Sequence, residues 1–289
     1  MSSRTLRFTV PPEGEGKRAR AVLQGALGLS AGLVTRLKHR ENSLRINGVP
    51  ARTVDVLRAG DLVEVEVGDA KPGTFASARG ALDVVWEDED ILIINKPAGV
   101  AVHGRSDRGE PTVGSLVAAY LGTNAPFHPV NRLDRGTTGL MCAAKIGWMH
   151  ERLRRILHTP EFRREYLAVC AGAPPEKEGA VDAPIARLGE AKRFCVDPDG
   201  APSLTRWEVL RERDGLSLLR LRPETGRTHQ IRVHMAYLGC PLLGDRLYGK
   251  ASGLIDRPAL HSAGLTFVHP LTGERVELAA PVPEDMRLL

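Results

Sequence analysis

The sequence predicts an α+β fold: a mixed, largely antiparallel sheet with flanking helices, preceded by a small α/β unit. Three observations carry this expectation. Strand and helix patterns alternate irregularly, without the even βαβ spacing of a doubly wound parallel sheet. Residues 62–67 (Leu-Val-Glu-Val-Glu-Val) alternate apolar and charged side chains, the pattern of a strand with one wet face. Residues 68–80 turn to Gly, Lys and Pro, the composition of a connecting segment. The chain is therefore expected to divide into a small unit at 1–68, a linker at 69–80 and a large unit at 81–289.

In chain order, residues 17–28 form a basic helical pattern with Ala21, Leu23 and Leu27 as candidate buried positions. Ser30 is placed to cap a second helix over about 31–40, since its hydroxyl can accept from a first-turn amide. Segments 43–46 and 54–57 follow, separated by an Asn47-Gly48 turn, and Ala59-Gly60-Asp61 leads into strand 62–67. In the large unit, 83–86 and 91–95 read as a hairpin running into the turn Lys96-Pro97-Ala98-Gly99. Residues 112–121 read as a helix, 140–144 as a strand, 147–157 as a basic helix, and 166–170 and 217–221 as strands. A helix over 228–238 would bury Ile231, Met235 and Leu238. Arg232 would then stand about 100° from Ile231, at the edge of the stripe, where a half-buried charge needs a partner.

The 289 residues are 42% hydrophobic and 26% charged, which suits a folded core and excludes a disordered chain. No apolar run reaches about 18 residues, so no spanning helix and no membrane partner are expected. The first ten residues carry two arginines and no apolar stretch, which argues against a secretory signal. Cys142, Cys170, Cys195 and Cys240 stand at least 25 residues apart with no C-x-x-C pair, so isolated thiols in a reducing cytoplasm are expected. The net charge of +5 is mild and compatible with nucleic acid. Within the first seventy residues, eleven Lys and Arg meet eight Asp and Glu, and the positive charge gathers at Arg36, Lys38, His39, Arg40 and Arg45.

The most unusual stretch is His128-Pro129-Val130-Asn131-Arg132-Leu133-Asp134-Arg135-Gly136-Thr137-Thr138-Gly139-Leu140. It sets one carboxylate between two arginines, which would favour its ionised form, on a glycine-bounded turn that can hold it still. An arbitrary aspartate here would simply cap a turn; co-occurrence with other blocks changes the reading. Asn95-Lys96-Pro97-Ala98-Gly99-Val100-Ala101-Val102-His103 precedes it and Arg164-Glu165-Tyr166-Leu167-Ala168-Val169 follows. Then come Pro223-Glu224-Thr225-Gly226-Arg227-Thr228-His229-Gln230-Ile231-Arg232-Val233-His234 and Leu243-Gly244-Asp245-Arg246-Leu247-Tyr248-Gly249.

Over roughly residues 82–280, these blocks in this order resemble the RluA-type RNA pseudouridine synthases. Residues 1–68 resemble the small RNA-binding domain of ribosomal protein S-four, with two short helices, a basic turn, an Asn-Gly hairpin and a Gly-Asp before the last strand. Where that domain usually carries Arg-Leu-Asp, this chain has Lys17-Arg18-Ala19-Arg20; where the synthases mostly carry His before Arg-Leu-Asp, it has Asn131.

The resemblance implies a central active cleft across the sheet and roles for particular residues. Asp134 is the expected catalytic nucleophile, Tyr166 the aromatic packed on a flipped uracil, and Arg232 the cation paired with Asp134, with Arg227 as its competitor. Arg132 is expected to fill the gap left in the RNA stack. Arg227, Arg36, Lys38, Arg40 and Arg45 are expected to bind RNA. The implied partner is structured RNA, ribosomal or transfer, acted on by a cytoplasmic monomer. No cofactor is implied, because the isomerisation conserves all atoms.

Other readings have less behind them. A metal site at His229 and His234 lacks the i, i+4 spacing and a completing ligand. A phosphate cradle at Lys96 lacks the G-x-x-x-x-G-K-[ST] pattern. A glycoside or nucleoside hydrolase would need a second carboxylate, for which Glu165 and Asp245 are candidates. A non-catalytic RNA-binding protein is the alternative from another class, against which the intact Asp134, Tyr166 and Arg232 speak.

Overall fold

A computed structural model describes residues 3–40, 42–69, 71–104, 110–122, 125–189 and 193–288. At the N-terminal end, β1 (Ser3–Thr9), β2 (Leu44–Ile46), β3 (Val49–Pro50) and β4 (Leu62–Gly68) form an antiparallel sheet in the order β1-β4-β2-β3. Helices α1 (Ala19–Gly25) and α2 (Ala31–Leu37) bury Val22, Leu23, Leu33, Val34 and Leu37. Ser30 caps α2 as its position demands, its Oγ accepting from the Leu33 amide at 3.3 Å.

β1 turns Leu6 and Phe8 inward between exposed neighbours and pairs with β4 over seven residues. Three expectations need correction here. Ala21 is exposed, and Val22 beside it takes the buried position on α1. Residues 54–57 are not a strand. Asn47 (φ 52) and Gly48 (φ 79) form a two-residue hairpin turn that gives β2 its partner at Val49–Pro50. The chain then bends away where Asp55 accepts from the Arg52 amide. Finally, α1 is shorter than 17–28, and the chain turns before α2 at Gly28 (φ 57).

The remaining strands are β5 (Val84–Glu87), β6 (Ile91–Lys96), β7 (His128–Pro129), β8 (Thr138–Ala144), β9 (Phe162–Ala171), β10 (Glu178–Asp182), β11 (Ile185–Arg187), β12 (Phe194–Val196), β13 (Leu204–Arg213), β14 (Leu216–Pro223), β15 (Leu260–Val268) and β16 (Arg275–Ala279). Helices α3 (Val113–Leu121), α4 (Gly147–Ile156) and α5 (Gln230–Tyr237) lie between them. Ten strands make one sheet in the order β10-β13-β14-β9-β15-β8-β6-β5, with β16 on β15 and β7 on β8; β11 and β12 pair separately. Only the β15/β8 contact is parallel, so the sheet is mixed and largely antiparallel, as the irregular element order predicts.

The sheet has two buried faces, which is why β8 is buried along its whole length. On one face, Ile91, Ile93, Leu140, Cys142, Phe162, Leu265 and Phe267 join Trp148, Met149 and Leu153 of α4 and Val63, Val65 and Val67 of β4 in one hydrophobic cluster. The small unit therefore shares a core with the large one. Asp69 reinforces the junction, taking a hydrogen bond from the Gly147 amide at 3.2 Å and pairing with His128 at 2.9 Å. On the other face, Leu92, Ile94, Met141, Tyr166, Ala168, Leu219 and Leu221 pack with α3 and α5. There the thiols of Cys170 and Cys240 meet, so these two cysteines are not isolated as their spacing suggests.

Candidate active site

A cleft of about 740 Å³ opens on this second face, over the middle strands of the sheet. Asp134, on the loop between β7 and β8, reaches into it with its side chain 29% exposed. The Asp134 loop is tied down from several directions. Buried Lys96 donates from Nζ to the carbonyls of Pro97 (2.8 Å), Val100 (2.9 Å) and Arg135 (3.2 Å), linking the turn after β6 to the residue beside Asp134. Burial lowers the Lys96 pKa to about 8. Arg257 donates to the Gly136 carbonyl at 3.1 Å and is itself held by both oxygens of Asp285. Gly139 (φ 103) sits where β8 meets β15, and a Cβ there would strike the Ser262 backbone. Such a loop is held for geometry rather than left to fluctuate.

Neither arginine next to Asp134 in sequence is its partner in space. Arg135 turns to the Gly99 carbonyl (2.7 Å) and to Glu110. Arg132 is exposed at the rim of the cleft, with no hydrogen bond or ion pair among the described residues. The partner is Arg232, from α5, whose Nη1 lies 3.4 Å from Asp134 Oδ2. Arg227 is exposed on the cleft wall and donates to the Pro202 carbonyl at 3.2 Å, so the competition for this position goes to Arg232.

Arg232 is more deeply set than the edge of a stripe. Residues 230–235 are all buried, because α5 is covered on most sides. Its guanidinium is anchored by a carboxylate that is fully buried: Nε and Nη2 donate to Asp245 Oδ2 and Oδ1 at 2.7 and 2.8 Å. Burial opposes this charge, but Asp245 and Asp134 outweigh it and raise the arginine's pKa. Asp245 Oδ1 is further satisfied by the amides of Leu247 (3.0 Å) and Tyr248 (3.3 Å). The forked, two-bond geometry fixes the guanidinium plane and leaves one N–H pair for Asp134. The sequence alone offers Asp245 only as a candidate hydrolytic acid. The signal for its actual place is different, a Gly-Asp turn shortly after a helix carrying an arginine that needs a partner.

Tyr166, on β9, is buried, and its hydroxyl faces Ser262 and Asn131. Burial raises its pKa above the ordinary phenol value. Asn131 accepts from the Cys142 amide at 2.8 Å through Oδ1, joining the motif loop to β8. Its buried Nδ2 has no hydrogen-bond partner among the described residues.

The other candidate carboxylate, Glu165, points to the opposite face, where it pairs with Arg220 (3.2 Å) and Arg222 (2.8 Å). His234 is spent on Thr205 (2.9 Å) and the Ala183 carbonyl (3.0 Å), while His229 turns to Tyr248 and Asp134. The structure thus brings Asp134, Tyr166, Arg232, Arg227 and Arg132 to one cleft. Arg36, Lys38, Arg40 and Arg45 stand exposed on the N-terminal unit, away from that cleft, with Arg40 paired to Glu66 at 2.6 Å. Among the described residues, no helix is long and apolar enough to cross a membrane.

Comparison with known proteins accords with this geometry. Residues 90–237 match the family described as RNA pseudouridylate synthase. An uncharacterized RNA pseudouridine synthase of Bacillus subtilis, YjbO, is 40% identical over 92% of this chain and 95% of its own length. The ribosomal large subunit pseudouridine synthase D of Haemophilus influenzae is 37% identical over 83% of this chain and 79% of its own. The solved structure of human RNA pseudouridylate synthase domain containing 4 superposes with a TM-score of 0.58 at 25% identity, over 71% of this chain and 90% of that one. The motif blocks, the mixed sheet and these likenesses agree: the chain belongs to the RNA pseudouridylate synthase family and is an RNA-modifying isomerase.

Proposed function

We propose that the protein converts a specific uridine of a structured RNA, ribosomal or transfer, into pseudouridine, with Asp134 as the attacking group on a uridine flipped out of its stack. Large-subunit ribosomal RNA is the first substrate to test, because the Haemophilus influenzae relative is named for it. The observation that carries the reading is Arg232, held rigid by buried Asp245 and turned toward Asp134 at 3.4 Å, with Tyr166 in the same cleft.

The chemistry balances without an added reagent. The bond from uracil N1 to ribose C1′ breaks, C5 bonds to C1′ instead, a proton leaves C5 and one is gained at N1. Asp134 attacks so that the base can detach, turn and rejoin, and the bond the aspartate forms is broken again before pseudouridine leaves. Tyr166 supplies a face for the extruded uracil, and its hydroxyl a hydrogen bond. Flipping costs a few kcal/mol, and Arg132, at the rim and unpartnered among the described residues, is placed to offset part of that by stacking in the gap. Residues 1–68 serve as a second RNA-binding surface through Arg36, Lys38, Arg40 and Arg45, with Arg227 contacting phosphate at the cleft.

The test uses bulk RNA carrying 5-tritiated uridine, from cells lacking this gene. The protein is expected to release tritium and to create a new pseudouridine at a mapped position. Asp134→Asn is expected to bind the RNA and release none. Retained turnover in Asp134→Asn overturns the role given to the aspartate.

A further inference from the structure

Resting on the reading of Asp134 as the attacking group, we propose that His229 is a positioning residue of the reaction: its neutral imidazole, oriented by the Tyr248 hydroxyl, holds one oxygen of Asp134 so that the other is presented to the nucleotide.

The backbone gives the first sign. Four described residues other than glycine have positive φ: Asn42, Asn47, Asp214 and His229. The first three are exposed, whereas His229 (φ 57, ψ 16) is half-buried, at the cap of α5 and in the wall of the cleft; like Asn and Asp, histidine adopts this conformation more readily than most residues. A strained backbone that survives in a cleft is held by its surroundings and points to a use for the side chain.

The second sign is the hydrogen bonding. The Tyr248 hydroxyl oxygen accepts from the Phe194 amide at 2.9 Å and lies 2.8 Å from His229 Nδ1. We take the phenol's one proton to lie on the bond to Nδ1, the tautomer that leaves Nε2 as the donor. The remaining proton of a neutral imidazole is then on Nε2, the nitrogen that lies 3.9 Å from Asp134 Oδ2. Arg232 approaches this same oxygen, and Asp134 Oδ1 has no partner among the described residues. The 3.9 Å gap is longer than a hydrogen bond; closing it over a bound nucleotide is a small movement of a kind common on substrate binding.

Packing fixes the imidazole in place. The rings of Phe194 and Tyr248 each meet it edge-on at 5.6 Å. The Tyr248 ring also lies 5.1 Å from the Arg232 guanidinium carbon, so one tyrosine orients both groups that face Asp134 Oδ2. Burial outweighs the pull of Asp134 and keeps the His229 pKa below the ordinary imidazole value.

The experiment measures kcat and KM by tritium release on the same bulk RNA, with thermal melting of each variant. His229→Gly suits the positive φ and removes only the side chain. It is expected to lower kcat about a hundredfold with KM changed less than about threefold, the size seen when one fixed donor is removed. His229→Gln restores a side-chain N–H and is expected to regain at least about tenfold of the loss. Tyr248→Phe keeps the ring beside Arg232 and loses only the hydroxyl; it is expected to lower kcat about tenfold. A His229→Gly protein within about threefold of the parent kcat overturns the proposal, as does a Tyr248→Phe protein with the parent's kcat should the glycine variant fail to fold. Asp134→Asn run alongside keeps the outcomes separate. Turnover there defeats the underlying reading, whereas a dead Asp134→Asn beside a fully active His229→Gly defeats this inference alone.

Discussion

The cleft and the N-terminal unit both carry arginines, but they hold them in opposite ways. In the cleft, Arg232 has a side chain 10% exposed, locked by two hydrogen bonds to a carboxylate that sees no solvent. On the N-terminal unit, Arg36, Lys38, Arg40 and Arg45 are exposed, and the Arg40–Glu66 pair lies in solvent, where such contacts contribute little to stability. The difference matches what each proposed role requires. A guanidinium that must orient one carboxylate oxygen has to be immobile, and only buried partners make it so. Cations that meet a phosphate backbone need only be numerous and reachable, because that attraction is long-ranged and tolerant of position.

This contrast can be broken or sharpened by substitution. The largest effect is expected for Asp245→Ala, which leaves Arg232 buried with its main partner gone. Stability should fall by roughly 3–5 kcal/mol in urea unfolding, and turnover should drop toward that of Asp134→Asn. A stable, active Asp245→Ala protein would show that the buried anchor is dispensable. Next comes Arg132→Ala at the rim, expected to lower kcat about tenfold while changing RNA affinity less than about threefold, because its contact forms only once the base has left the stack. Affinity falling in step with kcat would make it an ordinary phosphate contact. The smallest effect per residue is expected on the N-terminal unit. Replacing Arg36, Lys38, Arg40 and Arg45 together by Gln should flatten the salt dependence of RNA binding, by up to about 0.7–0.9 in log–log slope for each phosphate no longer neutralised. An unchanged slope would remove RNA binding from that face.

In the large sheet β5, β6, β8, β9 and β14 are legible in the sequence because their residues repeat at period two or run apolar, whereas β7, β10, β13, β15 and β16 are not read from it; the helices α2 and α3 are legible through Ser30 and Thr112. Thr112 and Ser115 form a reciprocal capping box, and α3 begins there. β1 is hard to read because its inward face carries only two apolar residues, Leu6 and Phe8, in a polar stretch. The motif blocks single out Asp134, Tyr166 and Arg232, which the fold gathers from three separate elements. What the chain order conceals is pairing. Arg132 and Arg135 flank Asp134 in sequence and leave it in space, while Asp245, in sequence only a possible acid, supports Arg232. A loop sends neighbouring side chains to opposite sides, so adjacency along the chain says little about which charges meet. Tyr248 and His229 are hidden for the same reason, their contact being made by a turn after α5 and by the β11–β12 hairpin that delivers Phe194.

The hydrophobic cluster that runs from β4 through α4 into the large sheet has a mechanical consequence. Arg155 clips the same seam, donating to the Gly28 carbonyl at 3.0 Å. The N-terminal unit is thus bolted on rather than tethered, and stripping it away would bare Trp148, Met149 and Leu153. Any RNA that grips both regions must span a separation set by the protein's own interior, so the shape of the transcript, as much as the letters around the uridine, would decide which nucleoside reaches the aspartate.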